Sequence, residues 1–318
     1  MKLGELQRLA KEIPNFQGDQ GQEWFQKKIR EMGLDPNALY QELEMTSRLV
    51  DTHRDVSYTN SHMHLHSHAF YELLYCLNSC GAEYLVGTER YRLQQGDIIL
   101  VPPGVSHRPL LPETMDAPYS RYVLWLSPEF MQQYAPLFPS SFGPMAGQSR
   151  MLRTGGTQWE SLRELFRAGV KEAEQQQEGW EAAVVGNTIS LLAQLLRAAD
   201  DRGARMPEAE KPELLDRIMA YVEKHYAAGM TIGDLAKEFY VSSSTVSHLF
   251  KQKMGVSFYR YVTQRRLIAA KSLIEMGALL ENVAEETGFQ DYSGFYRAFK
   301  QEYGISPRQY KNLQGVND

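Results

Sequence analysis

"FKQKMGVSFYRY" at residues 250–261 and "FKQEYGISPRQY" at residues 299–310 are one motif written twice. Phenylalanine, lysine, glutamine, glycine, serine and tyrosine recur at a constant offset of 49 positions. An apolar–alanine pair leads into each copy, Leu235-Ala236 in one and Val283-Ala284 in the other. Identities at fixed spacing with a matching lead-in imply a duplicated supersecondary unit.

Each copy reads as helix, tight turn, helix. Thr231 is placed to cap a short helix through Phe239, and Ser242 to cap a second through Met254, with Gly255 as its left-handed stop. In the second copy a helix over 280–287 ends at Gly288, while Asp291 caps a helix through Tyr303 that Gly304 terminates. The small alanines of the leading helices let a second helix cross closely, as helix-turn-helix packing needs. A long helix over 257–276 joins the copies.

Charge patterning adds a function class. The whole chain of 318 residues carries a net charge of -5, yet residues 239–274 hold Lys251, Lys253, Arg260, Arg265, Arg266 and Lys271 and no acid. An unbroken basic run in an acidic protein is what a phosphate-facing surface requires. The bland alternative, a solvated helix face, usually mixes signs.

Residues 211–312 resemble the AraC-type DNA-binding domain, down to its ending "GFQDYSGFYRAFKQEYGISPRQY". The resemblance implies two recognition helices that read double-stranded DNA. In the first, Val246, Leu249 and Phe250 form the apolar stripe, which turns Ser244, Ser247, His248 and Lys251 outward. In the second, Phe295 and Phe299 face inward and leave Ser293, Gly294, Tyr296 and Arg297 outward. These outward positions match the base-facing positions of the family. Arg297 can offer a bidentate fork to guanine, His248 one donor or acceptor, and Tyr296 an apolar face to thymine methyls. Lys253, Arg260, Arg265, Arg266 and Lys300 are the phosphate-contact candidates.

The front of the chain has another texture. From about 55 to 127, short β-rich runs such as "FYELLYCLN", "EYLVGTERYRLQ" and "GDIILVPPG" alternate with turn signals, which implies an antiparallel sandwich or barrel. Residues 1–54 suggest a helical extension in which Phe25, Ile29 and Met32 share a face. Residues 128–156 read as irregular. Helical patterns over 157–177 and 180–199 suit either a hairpin that covers the sheet or a dimerisation element, and the polar stretch 200–212 reads as a linker. The expected fold is therefore α+β: a sensor domain over 55–156 with flanking helices, then an all-α domain of two helix-turn-helix units over 213–318.

"SHMHLHSHAFYE", residues 61–72, carries four of the chain's eight histidines at alternate positions. Together with "GDIILVPPGVSH", residues 96–107, it makes this segment resemble a small cupin barrel. His66, His68, Glu72 and His107 fit the two cupin motifs, although Leu111 stands near where the second motif continues to asparagine. The resemblance implies a barrel interior in which these groups line an effector pocket or bind a divalent transition metal, the one candidate cofactor. Six strand residues span roughly 20 Å, so His62 and His68 cannot share an ion. Tyr84, Trp125, Arg90 and Arg92 are further pocket candidates that the sequence does not orient.

The two cysteines, Cys76 and Cys80, form no disulfide framework and suit a reducing compartment. The N-terminus breaks every apolar step with a charge and is no signal peptide. "ISLLAQLLRAA" is too short to span a bilayer. The reading is a cytoplasmic, homodimeric transcription regulator without catalytic residues, whose partners are DNA, a small-molecule effector and, as a further candidate, RNA polymerase. The alternative is a metal-dependent cupin enzyme tethered to DNA. An architectural binder with little sequence preference is a third class.

Overall fold

The computed structural model describes residues 45–57, 65–112, 114–138, 150–201 and 213–313. Of the helical extension expected over 1–54, residues 1–44 lie outside the described residues, as do His62, His64 and residues 202–212 of the expected linker. The expected boundary at 55 is corrected, because Val50–Ser57 is a strand paired along its length with Tyr119–Leu126. Chain contacts divide the protein into two units, one built on Arg48–Ala220 and one on Tyr221–Lys251 with Val256–Asp318.

The first unit holds eight strands: β1 (Val50–Ser57), β2 (Tyr71–Asn78), β3 (Glu83–Val86), β4 (Glu89–Arg92), β5 (Asp97–Val101), β6 (His107–Leu110), β7 (Tyr119–Leu126) and β8 (Arg150–Arg153). They form a five-stranded sheet in the order β1-β7-β2-β5-β8 and a three-stranded sheet in the order β4-β3-β6. All pairings are antiparallel. Period-two alternation sends the side chains of the larger sheet to two different cores. Leu73 and Tyr75 of β2, Ile98 and Leu100 of β5, and Tyr122 and Leu124 of β7 join a cluster with Leu162, Phe166, Val170, Val184, Leu191 and Leu192. Leu74, Cys76, Ile99 and Val123 point the other way, into a cluster with Tyr84, Val86 and Tyr91 of the smaller sheet.

Within the stretch read as irregular, the described residues 128–138 and 150–156 hold a helix and a strand. Ser127 caps a helix, α1 (Pro128–Tyr134), by accepting from the Phe130 N–H, and β8 adds an edge strand to the large sheet. A proline at the first helical turn fits a helix start better than a loop, since its missing N–H would be unpaired there anyway.

The helical hairpin α2 (Leu162–Gln175) and α3 (Trp180–Asp200) supplies the apolar cover of the large sheet. Among the described residues, Trp180–Ala199 is the one helix long and apolar enough, by length and composition, to cross a membrane. It is longer than the apolar run legible in the sequence. Its Val184, Leu191, Leu192 and Leu195 are spent in the core of this unit, the ordinary use of such a stripe.

Helix α4 (Leu214–His225) leads into the second unit, where the duplicated motif folds twice. Thr231 caps α5 (Ile232–Glu238) in a reciprocal capping box with Asp234. Ser242 caps α6 (Ser243–Leu249) by accepting from the Thr245 N–H. This helix does not run straight to Met254: Phe250–Met254 is a π-helical turn, closed by Gly255 at φ 68°. Ser257 caps the long connector α7 (Phe258–Glu275).

The second copy is α8 (Leu280–Glu286) and α9 (Tyr292–Tyr303), followed by α10 (Pro307–Leu313). Asp291 accepts from the Gly294 N–H, and Gly304 stops α9 at φ 74°. Phe295, Phe299, Val283 and Ala284 pack with Leu267, Ala270 and Ile274 of the connector. Gly288 is forced twice over: its φ is +81°, and a Cβ there would lie 2.3 Å from the Ala227 carbonyl oxygen.

Candidate functional site

Two groups of residues meet the chemical requirements set by the sequence. On α6, Val246 is buried, while Ser244, Ser247 and His248 are exposed, and Lys251 and Lys253 of the adjoining turn are exposed too. On α9, Phe295 and Phe299 are buried, Ser293, Arg297 and Lys300 are exposed, and Gly294 and Tyr296 are half-buried. Each copy therefore turns one face of its second helix into the core and the other to solvent.

The basic run is less uniform than its sequence suggests. Arg265 is 5% exposed, and its guanidinium donates to both carboxylate oxygens of Glu223. Arg260 donates to the buried Glu302. Arg266 donates to the Tyr226 and Ala228 carbonyls and lies over the Phe289 ring. Lys271 is buried, with its ammonium 5.3 Å and 5.2 Å from the Tyr303 and Tyr310 ring centres. The expectation that Arg260, Arg265 and Arg266 face phosphates is corrected accordingly: their head groups are engaged by acids and carbonyls that the linear run does not contain. The exposed Lys251, Lys253 and Lys300 keep the expected setting.

Sequence reasoning missed Tyr240, in the turn between α5 and α6. It is 96% exposed with a left-handed φ of 55°. A bulky residue at positive φ is uncommon, and only its place between two caps hinted at it.

The second group lies inside the barrel. His68 is held in the segment before β2, where its carbonyl accepts from the Gly104 N–H at 2.9 Å. His66 and His107 pair through an isolated antiparallel bridge, which brings their rings to 4.3 Å between centroids. The His68 and His107 rings are 4.8 Å apart. One donor atom from each of His66, His68 and His107 falls in a group within 4.8 Å. Glu72 enters from β2, whose register sets it opposite Trp125 of β7, and the indole N–H donates to Glu72 Oε1 at 2.8 Å.

Glu72 Oε2 then lies 3.0 Å from His107 Nε2 and 3.7 Å from His68 Nε2. Burial raises the Glu72 carboxyl, but hydrogen bonding and charge from His107, and after it His68, outweigh that and hold it well below the usual carboxylate range. Burial also lowers the His68 imidazole, with Glu72 opposing only in part. All four residues named from the sequence thus converge, although 66–72 is not one continuous strand.

Of the other pocket candidates, Trp125 joins the site through Glu72, and Tyr84 stacks 6.3 Å from His107. Arg90 does not join it: its guanidinium is paired with Glu83 on the neighbouring strand. Arg121 and Tyr119 were missed. They share the inward parity of Trp125 on β7, with Arg121 bound to Asp55 at 2.7 Å and the buried Tyr119 hydroxyl lacking a hydrogen-bond partner. Cys76 and Cys80 are free thiols.

Residues 52–192 match the family model of the AraC-like ligand binding domain, and residues 235–312 match a helix-turn-helix domain model. The chain is 33% identical over 130 residues to the probable transcriptional regulator LumQ of Photobacterium leiognathi, covering 40% of this chain and 50% of that one. It is 28% identical over 254 residues to the transcriptional activator RhaS of Salmonella arizonae, covering 76% of this chain and 85% of that one. Among solved structures, the C-terminal domain of AraT, a response regulator from Geobacillus stearothermophilus, aligns at 29% identity with a TM-score of 0.31, over 32% of this chain and 85% of that one. The chain belongs to the AraC-type transcriptional regulators, with a cupin-like effector-sensing domain in front of a DNA-binding pair of helix-turn-helix units.

Proposed function

We propose that the chain controls transcription by reading a two-element DNA site through the outward faces of α6 and α9, under the control of a small molecule held at the His66, His68, His107 and Glu72 cluster. The observation that carries this reading is the shared asymmetry of the two helices. In each, buried aliphatic and aromatic side chains hold one face, while the face carrying Ser244, Ser247 and His248, or Ser293 and Arg297, is left to solvent. Lys251, Lys253 and Lys300 are the phosphate contacts. Ser-rich α6 contributes backbone positioning, and α9 the sharper base reading.

The chain acts in the cytoplasm as a homodimer, joined through the barrel or the α2–α3 hairpin, and carries no catalytic role. The relative named an activator supports RNA polymerase as the partner through which regulation is exerted. Selection of bound sequences from random DNA by the full chain tests the reading. The expected outcome is two conserved short elements about one helical turn, roughly 10 base pairs, apart. An unstructured, salt-sensitive preference for all DNA would reject it. Light scattering of the free and DNA-bound protein tests the dimer.

A further inference from the structure

We infer that Tyr240 is a DNA-backbone contact of the first helix-turn-helix unit, its hydroxyl bonding a phosphate beside the groove that α6 enters. The inference rests on the DNA-facing role proposed above for α6, and it adds a residue that belongs to neither recognition helix.

The two copies of the motif turn the same corner. With Leu235-Ala236 aligned on Val283-Ala284, Tyr240 falls on Gly288. In the first copy the Val241 N–H donates to the Ala236 carbonyl at 2.9 Å, and the Tyr240 N–H to that of Lys237 at 3.3 Å. In the second the Phe289 N–H donates to the Ala284 carbonyl at 2.9 Å, and the Gly288 N–H to that of Glu285 at 3.0 Å. Each leading helix therefore ends on a left-handed residue, with φ 55° at Tyr240 and φ 81° at Gly288. Glycine adopts that conformation freely, whereas a residue with a Cβ is strained in it.

Packing does not account for the tyrosine. It is 96% exposed, so its ring buries almost nothing. Among the described residues its side chain makes no hydrogen bond and no ring contact. Gly288 has no room for a Cβ against Ala227, so only the first copy can carry a side chain at this corner. Strain kept at an exposed position, with nothing in the fold to offset it, points to a contact outside the fold.

The setting identifies that contact. Tyr240 stands at the start of the acid-free run over 239–274, two residues before Ser242, the cap of α6. A recognition helix lies in the major groove with its N-terminal residues at the base edges. The corner that leads into it therefore crosses the rim of the groove, where the phosphates are. Tyrosine hydroxyls are among the groups that bond phosphate oxygens. The hydroxyls of the cap are turned on one another: Ser242 Oγ lies 2.7 Å from Ser244 Oγ and 2.8 Å from Thr245 Oγ1. The longer phenol of Tyr240 is left to reach outward.

A neutral phenol also differs from a lysine in what its loss does. It donates to a phosphate without neutralising it, so no counterion is released on its account. Removing it weakens binding to every sequence and leaves the dependence on salt as it was.

The test uses the full-length chain with Tyr240→Phe and Tyr240→Gly. Fluorescence anisotropy at several salt concentrations reads affinity for the duplex recovered by selection and for a random-sequence duplex of the same length. Tyr240→Phe should keep the wild-type urea midpoint and bind both duplexes about ten-fold more weakly, the lower end for a hydrogen bond to a charged group. Tyr240→Gly relieves the corner, so its urea midpoint should rise while its affinity falls at least as far. Neither variant should change the slope of log K against log salt.

Variants that bind both duplexes as the wild type does would overturn the contact. If transcription nonetheless fell, Tyr240 would belong to a protein partner instead. A loss confined to the selected duplex would overturn it as well, because that pattern marks base reading. A wild-type chain that selects no element would sink the sequence-reading role of α6, yet the random duplex would still report the backbone contact through the loss in Tyr240→Phe.

Discussion

Arg265 and Glu223 form a two-bonded ion pair in which the guanidinium is buried and the carboxylate is partly exposed, its side chain 36% accessible. A residue that looked like a DNA contact therefore ties the connector α7 to α4. Arg265→Ala should lower stability by about 1–3 kcal/mol, the lower part of the range because Glu223 can regain water. The salt dependence of DNA binding should stay as it is. Lys251→Ala should do the reverse: unchanged melting, weaker binding to all sequences, and a slope of log K against log salt reduced by about one phosphate's worth. Equilibrium unfolding and anisotropy at several salt concentrations measure both. A flattened salt slope in Arg265→Ala would return that residue to the interface.

Arg297 has the opposite setting: exposed on α9, beside Ser293 and one turn from the half-buried Gly294. Small neighbours let a guanidinium fork approach base edges, which suits guanine O6 and N7. Arg297→Ala should cost about 1–3 kcal/mol on the preferred site and relax specificity at one position of one element. Selection with the variant checks this. A base preference unchanged at every position would remove Arg297 from the readout.

What could be read in advance follows the range of the interactions. Thr231, Ser242, Ser257 and Asp291 cap their helices by bonding residues three positions on, so a single line of sequence holds both partners. The left-handed stops at Gly255, Gly288 and Gly304 are equally local. The partners of Arg260 and Arg265 stand 42 residues away, and only tertiary packing brings them in. An acid-free run therefore misreported its own neutralisation. In the barrel, the histidines were visible as residue types, but the Glu72–Trp125 bond depends on strand register across 53 positions. The π-helical turn at Phe250–Met254 left no sequence signal that the capping pattern could carry.

Asp97, fully buried at the start of β5, illustrates how burial and pairing oppose each other. Arg153 of β8 donates to Oδ1 at 2.8 Å and to Oδ2 at 3.0 Å, and the Gln94 N–H donates to Oδ2 at 2.7 Å. Burial nonetheless wins and leaves the carboxyl above its usual value despite these donors. Arg153→Ala strips out the main compensation and should cost about 3 kcal/mol, close to the range for breaking a buried pair. Asp97→Asn in the same background should recover part of the loss, because it removes the stranded charge. Urea midpoints of the single and double variants give the coupling, and purely additive effects would show that the pair does not hold β8 to β5.

Cys76 faces the barrel interior from β2 and is 1% exposed, and burial pushes its thiol up to about 12. The thiolate is the reactive form, so at pH 8 an alkylating reagent should label Cys80 first and reach Cys76 only through unfolding. Peptide mass spectrometry in native buffer and in urea measures the order. The same shift carries a stability consequence with a definite sign. An unfolded cysteine ionises near 8.5, whereas the folded one keeps its proton to about 12. The folded state thus holds more protons between these values, and stability contributed by the neutral thiol is fully present below about 8.5 and declines as pH rises through that window. The slope approaches about 1.4 kcal/mol per pH unit. Comparing urea midpoints of the wild type and Cys76→Ala from pH 8 to pH 10 isolates the effect, since every other titrating group is common to both. The variant should start less stable and lose less with pH. Parallel curves would mean that Cys76 ionises equally easily in both states, and that the barrel interior around β2 is open to water.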